Sequence, residues 1–108
     1  MKKAKFFIIG YFEDGMTKPV DGYVFNLGEY TFGCHKDLRH WNITEITTGM
    51  KVFEVQKRAD AIPELEKRNT IAAINYLFSH IVKGDKIDSA NAAIQAAYKN
   101  MGMKMPVF

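Results

Sequence analysis

Between residues 40 and 56, apolar and polar positions alternate with the period of two that a β-strand imposes, because successive side chains leave a strand on opposite faces. Trp41 and Ile43 fall on one side, Asn42 and Thr44 on the other. That pattern predicts a strand with one face on a core and one in water. Aromatic and β-branched residues, which suit a pleated, half-buried surface, dominate it. Thr47, Thr48 and Gly49 interrupt the alternation, and Gly49 can take the positive φ that a tight hairpin exit demands. From Met50 the pattern resumes as M-K-V-F-E-V-Q, so the segment predicts a β-hairpin.

Further strands are predicted upstream. Residues 5–12 (K-F-F-I-I-G-Y-F) are apolar on both faces, which predicts a strand covered on both sides, either central in a sheet or at a subunit contact. Residues 13–19 read as a turn, with Asp14-Gly15 and Pro19 as its punctuation. Residues 23–26 and 30–35 read as a second and a third strand, separated at Leu27-Gly28-Glu29, and residues 41–46 and 51–56 supply the hairpin. Connections this short favour antiparallel pairing.

Beyond residue 57 the period changes. Asp60 suits an N-cap, Pro63 is tolerated in a first helical turn, and Ile62, Leu65, Ala72, Ala73, Tyr76 and Leu77 recur at three- and four-residue spacing. A helix over about 61–83 is predicted, closed by Gly84 as a left-handed cap. Ile71, Ile74, Phe78 and Ile81 widen its apolar sector, so it should touch both the sheet and another element. That element is a second helix over about 86–100, where Ile87, Ala90, Ile94, Ala97 and Met101 form a narrower stripe. The tail, residues 101–108, is apolar and should pack back on the domain or contact a partner. The expected fold is α+β: an antiparallel sheet of four to five strands over about 4–56, with two C-terminal helices packed on one face. A chain of 108 residues makes one domain, 1–108, that buries roughly two-thirds of its unfolded surface.

Composition narrows the setting. Cys34 is the one cysteine, so no intrachain disulfide forms and no oxidising compartment is required. The N-terminal Met-Lys-Lys resembles the start of a signal peptide, but the apolar run after it is short, contains Gly10 and meets Glu13 and Asp14. No segment approaches the length of a membrane span. A soluble, cytoplasmic protein without membrane contact is expected. The net charge of +3 and pI near 9.0 are mildly basic. Residues 1–54 carry seven Lys/Arg and seven Asp/Glu, residues 55–108 eight and five, so the excess lies in the second half. There Lys57, Arg58, Lys67 and Arg68 form two basic pairs. On a helix Glu64 faces Lys67 and Arg68, which explains the second pair as a solvated surface. A phosphate-binding surface is the alternative, since backbone contacts need only a few placed cations.

Cys34, His35, Asp37, His40 and Glu45 crowd into one region. Cys34 and His35 are adjacent, hence on opposite sides of a strand, and so do not readily converge on one ion. A Cys-His hydrolase, a distant third reading, would also need an orienting group and an oxyanion hole that the sequence does not place. A structural zinc site wants four ligands in paired motifs, which this chain lacks. Cys34 reads as a small buried hydrophobe and His80 as a helix-boundary residue. No phosphate-cradling glycine pattern is present. No catalytic residue, metal ligand or cofactor is therefore assigned. Aromatic and basic residues do interleave at Tyr30, Phe32, His35, Lys36, Arg39, His40 and Trp41, as a stacking platform would, although the aromatic positions also have the phase of a core face. A turn at residues 37–40 would leave His35, Lys36, Arg39 and His40 near one exposed end of the sheet. Together with Lys57, Arg58, Lys67 and Arg68 these are the candidate binding residues.

Residues 35–52, H-K-D-L-R-H-W-N-I-T-E-I-T-T-G-M-K-V, resemble a pattern in short phage and mobile-element proteins of no agreed activity. In those, W-x-[VI]-T precedes an acidic or histidine position, a T-G turn, an apolar strand and a helix. This chain departs from them by its long N-terminal strand and second helix. The resemblance implies origin more than function and carries over no site residue. The expected function is that of a small non-enzymatic accessory protein acting by binding another macromolecule, such as an inhibitor of a host system similar in kind to anti-CRISPR proteins. The alternative is a nucleic-acid-binding domain using the basic and aromatic surface. The partner is thus a protein or a nucleic acid, and the apolar tail allows a homodimer.

Overall fold

The alternation becomes five strands, and a sharp curl of their sheet decides what each face meets. The structure is a computed structural model that describes residues 1–9, 16–81 and 84–106, apart from the side chains of Arg68 and Ile81. The strands are β1 (Lys2–Ile9), β2 (Thr17–Leu27), β3 (Tyr30–Asp37), β4 (His40–Glu45) and β5 (Met50–Val55), each antiparallel to the next and adjacent in chain order. Three α-helices follow: α1 (Ala61–Glu66), α2 (Arg68–Tyr76) and α3 (Gly84–Asn100), with a 3-10 turn at Arg58–Asp60 and a π turn at Leu77–Ile81. Residues 10–12 of the expected first strand and 13–15 of the expected turn lie outside the described residues. Thr17 to Pro19, expected in that turn, pair with β1 instead.

The β4–β5 turn shows why Thr47, Thr48 and Gly49 follow a glutamate. The Glu45 carboxylate accepts the Thr47 amide at 2.7 Å, the Thr47 hydroxyl at 2.7 Å and the Thr48 amide at 3.2 Å. A charge that is only 4% exposed is thereby satisfied by the turn it initiates. Gly49 exits with φ +68°, as expected. Its carbonyl accepts the Ile9 amide at 2.8 Å, so the first strand reaches the last hairpin.

Phe6 sets that curl. Its ring is fully buried over two backbone positions that carry no side chain: a Cβ on Gly33 would lie 2.6 Å from the ring, and one on Gly22 3.0 Å from it. Both sheet faces are therefore covered. Asn42 and Thr44, expected in water, are 8% and 1% exposed because the concave side folds over them. β1 likewise occupies the edge of the sheet, not its centre, yet Phe6 and Phe7 are both buried.

Two clusters of core residues result, and they correct the expectation of two helices on one face. Ala61 and Leu65 of α1 and Ile74 of α2 pack with Phe25, Phe32, Cys34, Ile43 and Val55. Ile94, Ala97 and Tyr98 of α3 pack with Phe6, Phe7, Val24 and Ile46, joined by Met103 and Met105 of the tail. The single helix expected over 61–83 is broken at Lys67, whose ψ of 134° is extended. The break resets the helical phase, which is why Ala72, Ala73 and Tyr76 face outward while Ile74 is buried. Asp60 holds the N-cap position of α1 without a side-chain cap bond. Gly84, expected as a left-handed cap, opens α3 and has no left-handed φ.

Gly49→Ala should be among the most damaging substitutions of a small residue. The new Cβ would lie 2.4 Å from Ile94 Cδ1 at a backbone angle unfavourable to L side chains. Overpacking alone should cost about 1–3 kcal/mol, read from the urea midpoint.

Candidate functional site

Residues opposite one another in an antiparallel pair point to the same face, so the register shows what gathers at the end of the sheet carrying the β3–β4 turn. Lys3 stands opposite Tyr23, Tyr23 opposite Cys34, and Lys36 opposite Trp41. The Tyr23 and Trp41 rings share a face, their centroids 6.2 Å apart. Arg58, opening the 3-10 turn after β5, lays its guanidinium 4.0 Å above the Tyr23 ring and 5.9 Å from that of Trp41. A guanidinium over aromatic faces is held by the ring quadrupole and by stacking. Met1, Tyr23, Trp41, Arg58, Ala59 and Ile62 line an open groove of about 660 Å³ here. Exposed Lys3, Lys36 and Lys57 border these residues in register or in sequence.

A second feature lies where β2 and β3 part. They pair only from Tyr23 opposite Cys34 to Leu27 opposite Tyr30, although β2 starts at Thr17 and β3 runs on to Asp37. Gly22 marks the divergence, since a Cβ there would lie 2.1 Å from the Cys34 carbonyl oxygen. Beyond it opens a cleft of about 420 Å³, with Lys18, Val20 and Asp21 from β2, His35, Lys36 and Asp37 from β3, and Asn42, Thr44 and Lys51 from β4 and β5. The Asn42 amide donates to Asp37 Oδ2 at 3.2 Å. Asn42 Oδ1 and His35 Nδ1 are buried without a partner. Lys51 Nζ donates to Glu54 Oε1 at 2.9 Å, and His40 Nε2 stands 3.6 Å from Glu54 Oε2. The Lys51 hydrogen bond holds the Glu54 carboxyl below its ordinary range. Burial pushes the His35 imidazole below its ordinary value, Asp37 opposes this, and Lys18, Lys51 and His40 add to it.

No protein-family model, curated protein or solved structure matches this chain.

The candidate residues fall in different places. Arg58 stacks on the Tyr23 ring, Lys36 stands opposite Trp41 and also lines the cleft, Lys57 precedes Arg58 in sequence, and Arg39 is exposed in the adjoining turn. His35, expected at an exposed strand end, is only 8% exposed and lines the cleft, because the sheet curls over that end of β3. His40 is half-buried against Glu54. Lys67 pairs with Glu64 at 2.8 Å on the outside of α1, and the side chain of Arg68 lies outside the described residues. Tyr23, Lys3, Lys18 and Lys51 were not singled out by sequence. Tyr23 has the phase of a core residue, and only the register places it beside Trp41.

Cys34 lies on the face opposite His35, among Phe32 and Ile43, and burial pushes its thiol up to about 11. It is therefore not an activated nucleophile. Among the described residues no three His, Cys, Asp or Glu side chains gather as a metal site would need, and no helix is long and apolar enough to cross a membrane.

The depressed His35 imidazole makes folding sensitive to acid. The unfolded chain binds this proton first, near pH 6.5, so the stabilisation is complete above that value and is lost as pH falls through the depressed folded value. The urea midpoint should drop on acidification from about pH 7 to 5. A His35→Gln chain should lose that limb and keep the steeper carboxylate limb below it.

Proposed function

We propose that this protein is a non-enzymatic binding module that holds single-stranded nucleic acid on the platform of Tyr23, Trp41 and Arg58. One observation carries this: two aromatic rings on one sheet face, with a guanidinium stacked on them, stand among the exposed Lys3, Lys36 and Lys57. Bases stack on aromatic and guanidinium planes without sequence preference, while lysines follow the phosphates. The groove lies beside the core packed under α1, so a base entering it meets a rigid floor. Within this reading the protein works in the cytoplasm as an accessory factor of phage or mobile-element type.

A protein partner, such as a host complex that the chain would inhibit as anti-CRISPR proteins do, is the second reading. Leu38 favours it. It is 88% exposed at the tip of the β3–β4 turn with φ +54°, a strained position that gains nothing from packing.

Trp41 is the sole tryptophan, so its fluorescence reports occupancy of the platform directly. A short unstructured oligonucleotide should quench it, with affinity falling steeply as salt rises. Arg58→Ala should weaken binding by about 1–3 kcal/mol, and Lys57→Ala should reduce the salt slope by about one phosphate contact. Absence of quenching at low salt would remove the nucleic-acid reading. Recovery of a specific protein partner by the intact chain but not by Leu38→Asp would then favour the second.

A further inference from the structure

The cleft between the diverging ends of β2 and β3 is not used by the platform. From Thr17 to Gly22, β2 has β1 on one side and no strand on the other, and from His35 to Asp37, β3 has only β4. Main-chain groups therefore border the cleft unpaired by any strand among the described residues. Its volume, about 420 Å³, falls within the range of small-ligand sites. Ile8 and Val20 give it an apolar wall, and His35, Asn42 and Thr44 a polar one. His35 and Asn42 are each 8% exposed, and each keeps one polar atom without a partner. Such atoms are costly in a folded protein unless something that enters the site engages them.

The charges indicate what would enter. Lys18, Lys36 and Lys51 line the cleft beside Asp21 and Asp37. Lys51 is bound to Glu54, whereas Lys18 has no acidic partner among the described residues. A neutral imidazole donates one N–H, and strand-edge amides with lysines form an anion-binding combination. Asn42 Oδ1 accepts, so the ligand must also carry a donor such as a hydroxyl or amino group.

We infer that this cleft binds a small phosphomonoester no larger than a nucleoside monophosphate, its phosphate at Lys18, Lys51 and His35 and a donor group at Asn42. The aromatic groove and the cleft share no lining residue, and although Lys36, opposite Trp41, also lines the cleft, the phosphate position at Lys18, Lys51 and His35 does not use it. Asp37 on β3, Lys18 on β2, His40 on β4 and Lys51 on β5 act on His35 in the free protein. Glu54 faces His40 and Lys51. A bound dianion would add a negative charge to this set and raise the imidazole.

The test is an NMR titration of the full chain with inorganic phosphate, with adenosine monophosphate and with an oligonucleotide carrying a terminal phosphate. Amide shifts are followed together with the His35 ring as a function of pH. Saturable shifts at His35, Asn42 and Thr44 with millimolar adenosine monophosphate, and an upward movement of the His35 titration, are expected. Lys18→Ala should weaken this roughly tenfold or more, the loss of one charge-assisted hydrogen bond, and Arg58→Ala should leave it unchanged. Binding of the free nucleotide but not of the oligonucleotide terminus identifies a small metabolite. The reverse overturns the small-ligand assignment. Unmoved cleft residues, shifts confined to the Tyr23–Trp41 groove, or insensitivity to Lys18→Ala would overturn the site itself. Arg58→Ala weakening oligonucleotide quenching while nucleotide shifts persist shows that the two sites stand or fall separately.

Discussion

The seating of the Phe6 ring on two glycines is the constraint from which the rest of this structure follows. A side chain at Gly33 would enter the space the ring fills, and one at Gly22 would strike the Cys34 carbonyl and press on the ring edge. With both absent, β1 crosses the concave side of the sheet closely enough for the Ile9 amide to reach the Gly49 carbonyl. A flat five-stranded meander would leave one face in water, as alternating antiparallel strands commonly do. Here the curl converts that face into an interior, closed by Ile94, Ala97 and Tyr98 of α3. Gly49 must in turn be a glycine, since Ile94 packs where its side chain would stand. Three glycines and one phenylalanine thus link the sheet's first strand, its last turn and its final helix.

The same curl gives the protein two unlike surfaces. On one side, Tyr23 and Trp41 lie at the margin of the core under α1, half-buried and capped by Arg58. On the other, Gly22 draws close to the Cys34 carbonyl, and beyond this contact β2 and β3 cease to pair. The separation exposes edge groups inside the fold, where polar residues are buried and burial depresses the His35 imidazole. His35 illustrates the difference. The turn at its strand's end is fully in solvent at Leu38, yet three residues earlier the imidazole is almost enclosed.

Local pattern made the strands and the β4–β5 hairpin legible. Period-two alternation, Gly28, and the Thr-Thr-Gly exit each correspond to a feature of the sheet. What escaped the pattern depends on contacts distant in sequence. Alternation assigns Asn42 and Thr44 to the face opposite Ile43 but cannot show that α3 and Phe6 close over it. Lys67 carries no helix-breaking chemistry, so its extended ψ reflects the packing of Leu65 and Ile74 on the same core cluster. Of the candidate cations, Arg58 stacks on the Tyr23 ring and Lys36 stands opposite Trp41 in register, while Lys57 is beside them only in sequence. Tyr23 and Lys3 join them only through the register of β1, β2 and β3, which no single strand encodes. Lys18 was hidden similarly, in a segment whose Pro19 reads as a turn but pairs with Phe7.

The outer edge of β1 is closed by groups that arrive late. The Phe7 amide donates to the Tyr98 hydroxyl at 3.1 Å, across 91 residues of chain, and the Ile9 amide to the Gly49 turn. An open strand edge is a template for pairing with other chains. During synthesis, the strand made first therefore keeps part of its edge exposed until residue 98 has been added and α3 has docked. Without residue 98 the Phe7 amide lacks its partner, so the final helix covers part of the strand's border as well as walling the core.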